Sequence, residues 1–131
     1  MDYKFPDNLK YTSSHEWVRI EEDIARVGIT DYAQHQLGDI VFIQLPDLGT
    51  SVEKETSVGE IESVKAVGDI IMPLSGQIIS INEKLTESPE LVNSSPFEEG
   101  WILEVKFSNY DEVNSLLTVN KYKELVQNEE N

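Results

Sequence analysis

Thiols, imidazoles and amines are where covalent chemistry usually starts in a protein, and in this chain they are absent or isolated. None of the 131 residues is cysteine, which excludes disulfides, thiolate metal sites and cysteine nucleophiles together. Any sulfur chemistry must use sulfur supplied from outside. The two histidines, His15 and His35, have neither the paired spacing of metal ligands nor an evident serine partner, and they read as structural or surface residues. There is no glycine-rich phosphate loop, nucleophile elbow, HExxH or calcium loop. The 25 acidic side chains are too many for residue type alone to pick out an acid/base pair. Lys65, in Glu62-Ser63-Val64-Lys65-Ala66, is what remains. A lysine at a turn is ordinarily a solvated surface residue, so its surroundings decide its meaning.

The elements around Lys65 read mainly as β. Trp17 to Ile20 and Ile24 to Ile29 are β-favouring runs flanking the polar turn Glu21-Glu22-Asp23, with Ala25, Val27 and Ile29 alternating with Ile24, Arg26 and Gly28. Asp31 to Leu37 reads as a short crossover helix, with Asp31 as cap, Gln34 at the capping-box position and Gly38 as stop. A weak internal repeat follows. Gly38-Asp39-Ile40-Val41-Phe42-Ile43 resembles Gly76-Gln77-Ile78-Ile79-Ser80-Ile81, and Gly59-Glu60-Ile61-Glu62-Ser63-Val64 resembles Gly100-Trp101-Ile102-Leu103-Glu104-Val105. Two similar β-halves packed face to face would make a small sandwich or flattened barrel. Between them, two β-capable flanks meet at Val64-Lys65-Ala66, which puts Lys65 near a hairpin tip, where a side chain projects into water. Trp17 and Trp101 sit in β-runs and read as core. The tail reads as helical: Asn109 with Glu112 is a second capping-box pattern, Asn120 starts a last helix through Leu125 and Val126, and Glu129-Glu130-Asn131 is expected to fray. The expectation is one domain over residues 1–131, with a β core at about 11–107 and a helical segment at about 109–127.

Ten basic residues against 25 acidic give a net charge of −15, which repels phosphate backbones and anionic lipid and argues against nucleic acid or membrane as partner. Protein partners with basic patches stay open. No apolar run approaches the roughly 20 residues of a membrane helix, and Met1 to Asp7 has neither a secretion-signal nor a transit-peptide layout. The expected compartment is the cytoplasm. Asn93-Ser94-Ser95 matches a glycosylation sequon, incidental in that setting.

Seven blocks carry a family resemblance: Ser14-His15-Glu16-Trp17-Val18, Gly28-Ile29-Thr30-Asp31-Tyr32-Ala33-Gln34, Leu37-Gly38-Asp39-Ile40-Val41-Phe42, Leu45-Pro46, Glu62-Ser63-Val64-Lys65-Ala66, Pro73-Leu74-Ser75-Gly76 and Val92-Asn93-Ser94-Ser95-Pro96. In this order they resemble the signature blocks of glycine cleavage H-proteins. The resemblance implies a bacterial cytoplasmic, non-catalytic carrier with the barrel-sandwich fold of lipoyl and biotinyl domains. It implies lipoate in amide linkage on Lys65. Biotinyl relatives have methionines on both sides of their lysine; here the neighbours are Val64 and Ala66, which favours lipoate.

The implied partners are a pyridoxal-phosphate glycine decarboxylase (P-protein), a folate-dependent aminomethyltransferase (T-protein) and the flavoenzyme dihydrolipoyl dehydrogenase (L-protein), between which an aminomethyl group is shuttled. A lipoate-attaching enzyme is also implied, sensitive to the acid three residues before the lysine and the glycine eleven after, which match Glu62 and Gly76. Glu16 and Asp69 match the carboxylates that hold the aminomethyl arm. Some family members have histidine where this chain has Gln36, with His35 its neighbour here, which weakens a histidine contact to the arm. An alternative carrier role is a lipoyl relay to 2-oxoacid dehydrogenase complexes, and a further one is an unlipoylated docking module, against which the intact Glu62-to-Ala66 block speaks. In cells supplied with lipoate, the peptide containing Lys65 should gain a lipoyl-sized mass. Lys65→Arg, whose guanidinium does not accept that acylation, should lose both the mass and glycine cleavage in a reconstituted mixture. Activity of the Arg variant would refute the assignment.

Overall fold

Alternating side chains build the first hairpin of the computed structural model, which describes residues 2–130. After β1 (Lys10–Tyr11), β2 (Glu16–Glu21) pairs antiparallel with β3 (Ile24–Ile29). Val18, Ala25, Val27 and Ile29 face the main core. The opposite face is also covered. Trp17 lies across from Gly28, fully buried, with its indole N–H donating to the Pro96 carbonyl at 2.9 Å. A Cβ on Gly28 would stand 2.6 Å from that indole nitrogen, so glycine is there to make room for the ring.

Helix α1 (Asp31–Leu37) has the bounds expected of it, but its cap is Thr30, whose hydroxyl accepts from the Ala33 N–H. Asp31 instead accepts from the Gln34 amide at 2.8 Å. Thr30 wins because its extended backbone and its oxygen meet the free N–H groups of the first turn. Gly38 ends the helix at φ 82°, a left-handed conformation that glycine adopts without strain.

Next come β4 (Ile40–Gln44), β5 (Ser51–Val52), β6 (Ser57–Ser63), β7 (Val67–Ile71), β8 (Gly76–Ile81), the short helices α2 (Lys84–Glu87) and α3 (Leu91–Ser94), and β9 (Leu103–Phe107). They form two sheets, a six-stranded one in the order β1-β2-β3-β9-β8-β5 and a three-stranded one in the order β4-β6-β7. The fold is the expected two-layer β structure, with open sheets and not a closed barrel. The repeat is real in space: its first copy makes the β4/β6 pair of one sheet, its second the β8/β9 pair of the other. Both first strands break register at the same repeat position, between Ile40 and Phe42 and between Ile78 and Ser80. Each bulge turns one apolar residue, Val41 or Ile79, outward.

The chain closes with α4 (Tyr110–Asn114) and α5 (Val119–Glu130). Asn109 caps α4, but Glu112 does not complete a capping box, because its carboxylate accepts from the backbone and hydroxyl of Ser75. Asn120 lies inside α5, and Thr118 supplies the cap contact, accepting from Lys121 N. Tyr122 and Val126 pack with Leu9, Tyr11, Trp17, Tyr32 and Phe97 into a second, aromatic core on the outer face of the large sheet. That packing carries α5 through Glu129 and Glu130, which were expected to fray; Asn131 lies outside the described residues. Trp101 is not in a strand and is only half-buried, with the Arg26 guanidinium 4.4 Å above its ring. No helix of the described residues is long and apolar enough to cross a membrane. Gly28→Ala should drive a methyl into the Trp17 ring and lower stability by about 1–3 kcal/mol in urea denaturation. Unchanged stability would show that the ring can move aside.

Candidate functional site

A serine locks the turn that carries Lys65. Between β6 and β7, the Ser63 N–H donates to the Ala66 carbonyl at 2.8 Å, and the Ser63 hydroxyl accepts from the N–H groups of Lys65 and Ala66 at 3.3 and 3.0 Å. The tip is tied down from outside as well. Val64 N donates to the Asp39 carbonyl at 3.1 Å. The Gly38-Asp39 segment is in turn clamped by the Asn93 amide, which donates to the Gly38 carbonyl and to Gln34 and accepts from Ile40 N. The sequon residue is therefore a structural brace. The Lys65 stem runs over Gly38, where a Cβ would come within 3.2 Å of its Cε. Its Nζ has no ion-pair or hydrogen-bond partner among the described residues. The backbone below the amine is rigid and the amine is free.

Beside this hairpin, a cleft of about 500 Å³ opens between α1 and the edge strand β7. Ile29, Tyr32, Ala33, Leu37, Ile61 and Ile71 make an apolar floor, and Ser14, His15, Glu16, Gln36, Asp69 and Glu129 bring polar groups to it. Glu16 and Asp69, far apart in sequence, thus meet in one cleft. Gln36 lines it too, whereas His35 turns away to Asp31 and the Tyr3 ring.

Glu16 is the unusual group. It is 1% exposed and has no ion-pair partner among the described residues; its Oε1 accepts from the Thr12 and Ser14 hydroxyls at 2.6 and 2.5 Å. Burial pushes its carboxyl up to about 7, against the pull of the Ser14 and Thr12 hydroxyls and the Ile71 backbone. Asp69, by contrast, is exposed on β7, with the Ser57 hydroxyl 3.4 Å away.

His15 proves to be the histidine of the cleft, and it holds a strained backbone with φ 75°. Its carbonyl accepts from Thr30 N, its Nε2 lies 3.1 Å from Glu129 Oε1, and its Nδ1 lies 2.8 Å from the Tyr122 hydroxyl. A carboxylate only accepts, so in neutral His15 the proton sits on Nε2 and Tyr122 donates to Nδ1. The Thr30 hydroxyl, 2.6 Å from the Tyr122 oxygen, continues the chain to the cap of α1. Burial lowers the proton affinity of His15, and Glu129 opposes that. Nothing in residue type marked Glu129 for this place; the signal was the apolar spacing of Tyr122, Leu125 and Val126, which docks the helix far enough to bring its last turn to the cleft.

Glu62 is exposed on β6 between Phe42 and Val67, on the outer face next to the hairpin tip. Gly76 lies beyond the far end of β7 from Lys65. It pairs with Val52 and Phe107, and a Cβ there would stand 2.2 Å from the Lys106 carbonyl oxygen. Any side chain at this position would push β8 off β9.

A free lysine on a braced hairpin tip, beside an acidic-rimmed apolar cleft and on a core of two β-sheets, is the arrangement the site presents. Residues 9–129 match the family model of the Glycine cleavage H-protein, and the chain belongs to that family. It is 51% identical over 122 residues to the glycine cleavage system H protein of Bacteroides thetaiotaomicron, covering 93% of this chain and 97% of that one. To the mitochondrial H protein of Flaveria pringlei it is 49% identical over 124 residues, covering 95% and 76%. A crystal structure of a glycine cleavage system H protein from Mycobacterium marinum superposes with a TM-score of 0.84 at 38% identity, covering 91% of this chain and 96% of that one. Membership makes the chain a carrier subunit of the glycine cleavage system, from a family of lipoate carriers, and not a catalyst.

The raised Glu16 carboxyl has a consequence for stability. A folded-state value above the unfolded one favours folding fully below the unfolded value near 4.5, and that benefit is lost as pH rises through about 7. The protein should therefore lose up to about 3 kcal/mol between pH 4.5 and 7.5 from this group. Glu16→Gln should flatten that slope in chemical denaturation across the window. An identical pH profile in the variant would show that Glu16 is not held neutral by burial.

Proposed function

We propose that Lys65 carries lipoate in amide linkage, and that this chain carries the aminomethyl unit of glycine from a pyridoxal-phosphate glycine decarboxylase to a folate-dependent aminomethyltransferase before dihydrolipoyl dehydrogenase reoxidises the arm. The observation that carries this reading is the cleft: an apolar floor with an acidic rim, beside an unpaired lysine on a braced turn. When bound, the lipoyl group supplies the thiol that takes up and gives back the cargo, a group this cysteine-free chain lacks.

The remaining work falls to the chain's own residues. Lys65 fixes the base of the arm, and a tethered arm keeps its far end at high local concentration near whichever enzyme has docked. Ile29, Leu37, Ile61 and Ile71 offer apolar surface to an alkyl chain and exclude water from it. Glu16 and Asp69 receive the ammonium of the cargo through charge-assisted hydrogen bonds. As that cation arrives, the Glu16 carboxyl releases its proton to solvent, since a neighbouring positive charge favours the ionised form. Glu62 faces the lipoate-attaching enzyme from the exposed sheet beside the tip, while Gly76 serves attachment by keeping β8 close against β9. We assign the chain to one carrier domain working in a bacterial cytoplasm, a reading supported by its likeness to bacterial relatives.

The test is retention of cargo. Protein lipoylated and loaded from labelled glycine is separated from the decarboxylase, and release of ammonia and formaldehyde is followed. A partly exposed ion contact contributes on the order of 1 kcal/mol, so Asp69→Asn should release about fivefold faster than wild type. Glu16→Gln, at the buried end, should release faster still, with lipoylation of both variants unchanged. Rates equal to wild type in both single variants and in the double variant would remove the cleft from the mechanism.

A further inference from the structure

Two carboxylates were expected at the cleft, and the structure brings a third from the far end of the chain. Glu129 sits in the last turn of α5, and its Oε1 is held by His15 Nε2 at 3.1 Å and by the Tyr32 hydroxyl at 3.4 Å. Its other oxygen has no protein partner among the described residues. The two residues that hold Glu129 line the cleft as it does. Glu129 stays 42% exposed while His15 is 19% exposed, so the carboxylate stands at the mouth and the imidazole behind it.

Such bracing is more than an exposed terminal glutamate needs. His15 adopts a left-handed backbone conformation that a non-glycine residue reaches only at a cost, and from there its ring spans Glu129 and Tyr122. Through Tyr122 and Thr30 the same hydrogen-bond chain reaches the cap of α1, whose Leu37 and Gly38 lie beside the arm's base. We propose that Glu129 is a third acceptor for the cationic cargo, held over the cleft by His15 and Tyr32, so that the C-terminal helix is part of the arm-binding site and not only an outer buttress. This rests on the reading that the cargo enters this cleft. Glu16 and Asp69 would approach the ammonium from β2 and β7, and Glu129 from the last turn of α5. Three carboxylates from three elements fix the position of one small cation more tightly than two do.

The charged and titratable groups around His15 are Glu129, Glu16, Asp69, Tyr32 and Tyr122, so its imidazole reports charge at this spot. The experiment compares wild type with Glu129→Gln, which keeps an accepting oxygen for His15 and Tyr32 but removes the charge. Both lipoylated proteins are studied unloaded and loaded with labelled glycine, following the His15 titration and the Ile29 methyl resonances by NMR, together with cargo release. Loading should shift the Ile29 methyls in both proteins. In wild type it should lower the His15 midpoint by about half a unit, because a second cation now shares Glu129. In Glu129→Gln the unloaded midpoint should already be lower, and release should be about fivefold faster. If the Ile29 methyls respond but His15 does not, or release from Glu129→Gln matches wild type, the proposal fails while the cleft reading stands. If the Ile29 methyls do not respond to loading, the cleft reading fails and takes this proposal with it.

Discussion

A carboxyl group buried beside an apolar cleft, with hydroxyls as its side-chain donors and no cation in contact among the described residues, is a costly arrangement for an empty molecule, and on the proposed function it is one that awaits a positive charge. Glu16 is in that position, and much of the surrounding structure exists to hold it there. Thr12 and Ser14 turn inward to bind one of its oxygens, and the turn that lets them do so bends His15 into a left-handed conformation. His15 then links that turn to α5, through Glu129, and to the cap of α1, through Tyr122 and Thr30. On the reading proposed above, this energetic asymmetry is the functional one: desolvation disfavours the empty ionised site, and the ammonium of the cargo would offset it.

The same economy governs the hairpin. If Lys65 carries the arm as proposed, it must be free at its amine yet fixed at its backbone, and the two demands conflict unless bracing comes from neighbours the side chain does not touch. Here the braces are the Ser63 hydroxyl within the turn and the Asn93 amide, which reaches the tip only through Gly38 and Asp39. The bare stem lies along the α1 end of the cleft, so the arm proposed on Lys65 would have a short way to go to enter it.

What could be read in the sequence follows from how local each interaction is. The β2/β3 hairpin, the bounds of α1 and the tip position of Lys65 depend on alternation, stop residues and flanks within a few positions, and each is found where those signals put it. The internal repeat predicted two similar halves, and the matched bulges at Ile40 and Ile78 show that the likeness extends to irregularities. Long-range choices were hidden. Thr30 and Asp31 are both competent caps, and the preference for Thr30 is reinforced by Tyr122, 92 residues away. Glu112 matched a capping box but is claimed by Ser75. The final acids look like a fraying tail until Tyr122 and Val126 are seen to seat the helix in an aromatic core. The meeting of Glu16 and Asp69 came from family likeness and not from spacing, and Glu129 had no sequence signal of its own.

The most direct test of the account is whether the far end of the arm lies in the cleft. Lipoylated protein loaded from glycine labelled with carbon-13 at its methylene can be examined for nuclear Overhauser contacts from the labelled carbon's protons. Contacts to the methyls of Ile29 and Ile71 are expected, with the labelled signal broadened to the tumbling of the whole protein. A sharp signal with no contact to either isoleucine would mean that the arm moves free in solvent and that the acidic cleft serves some other purpose.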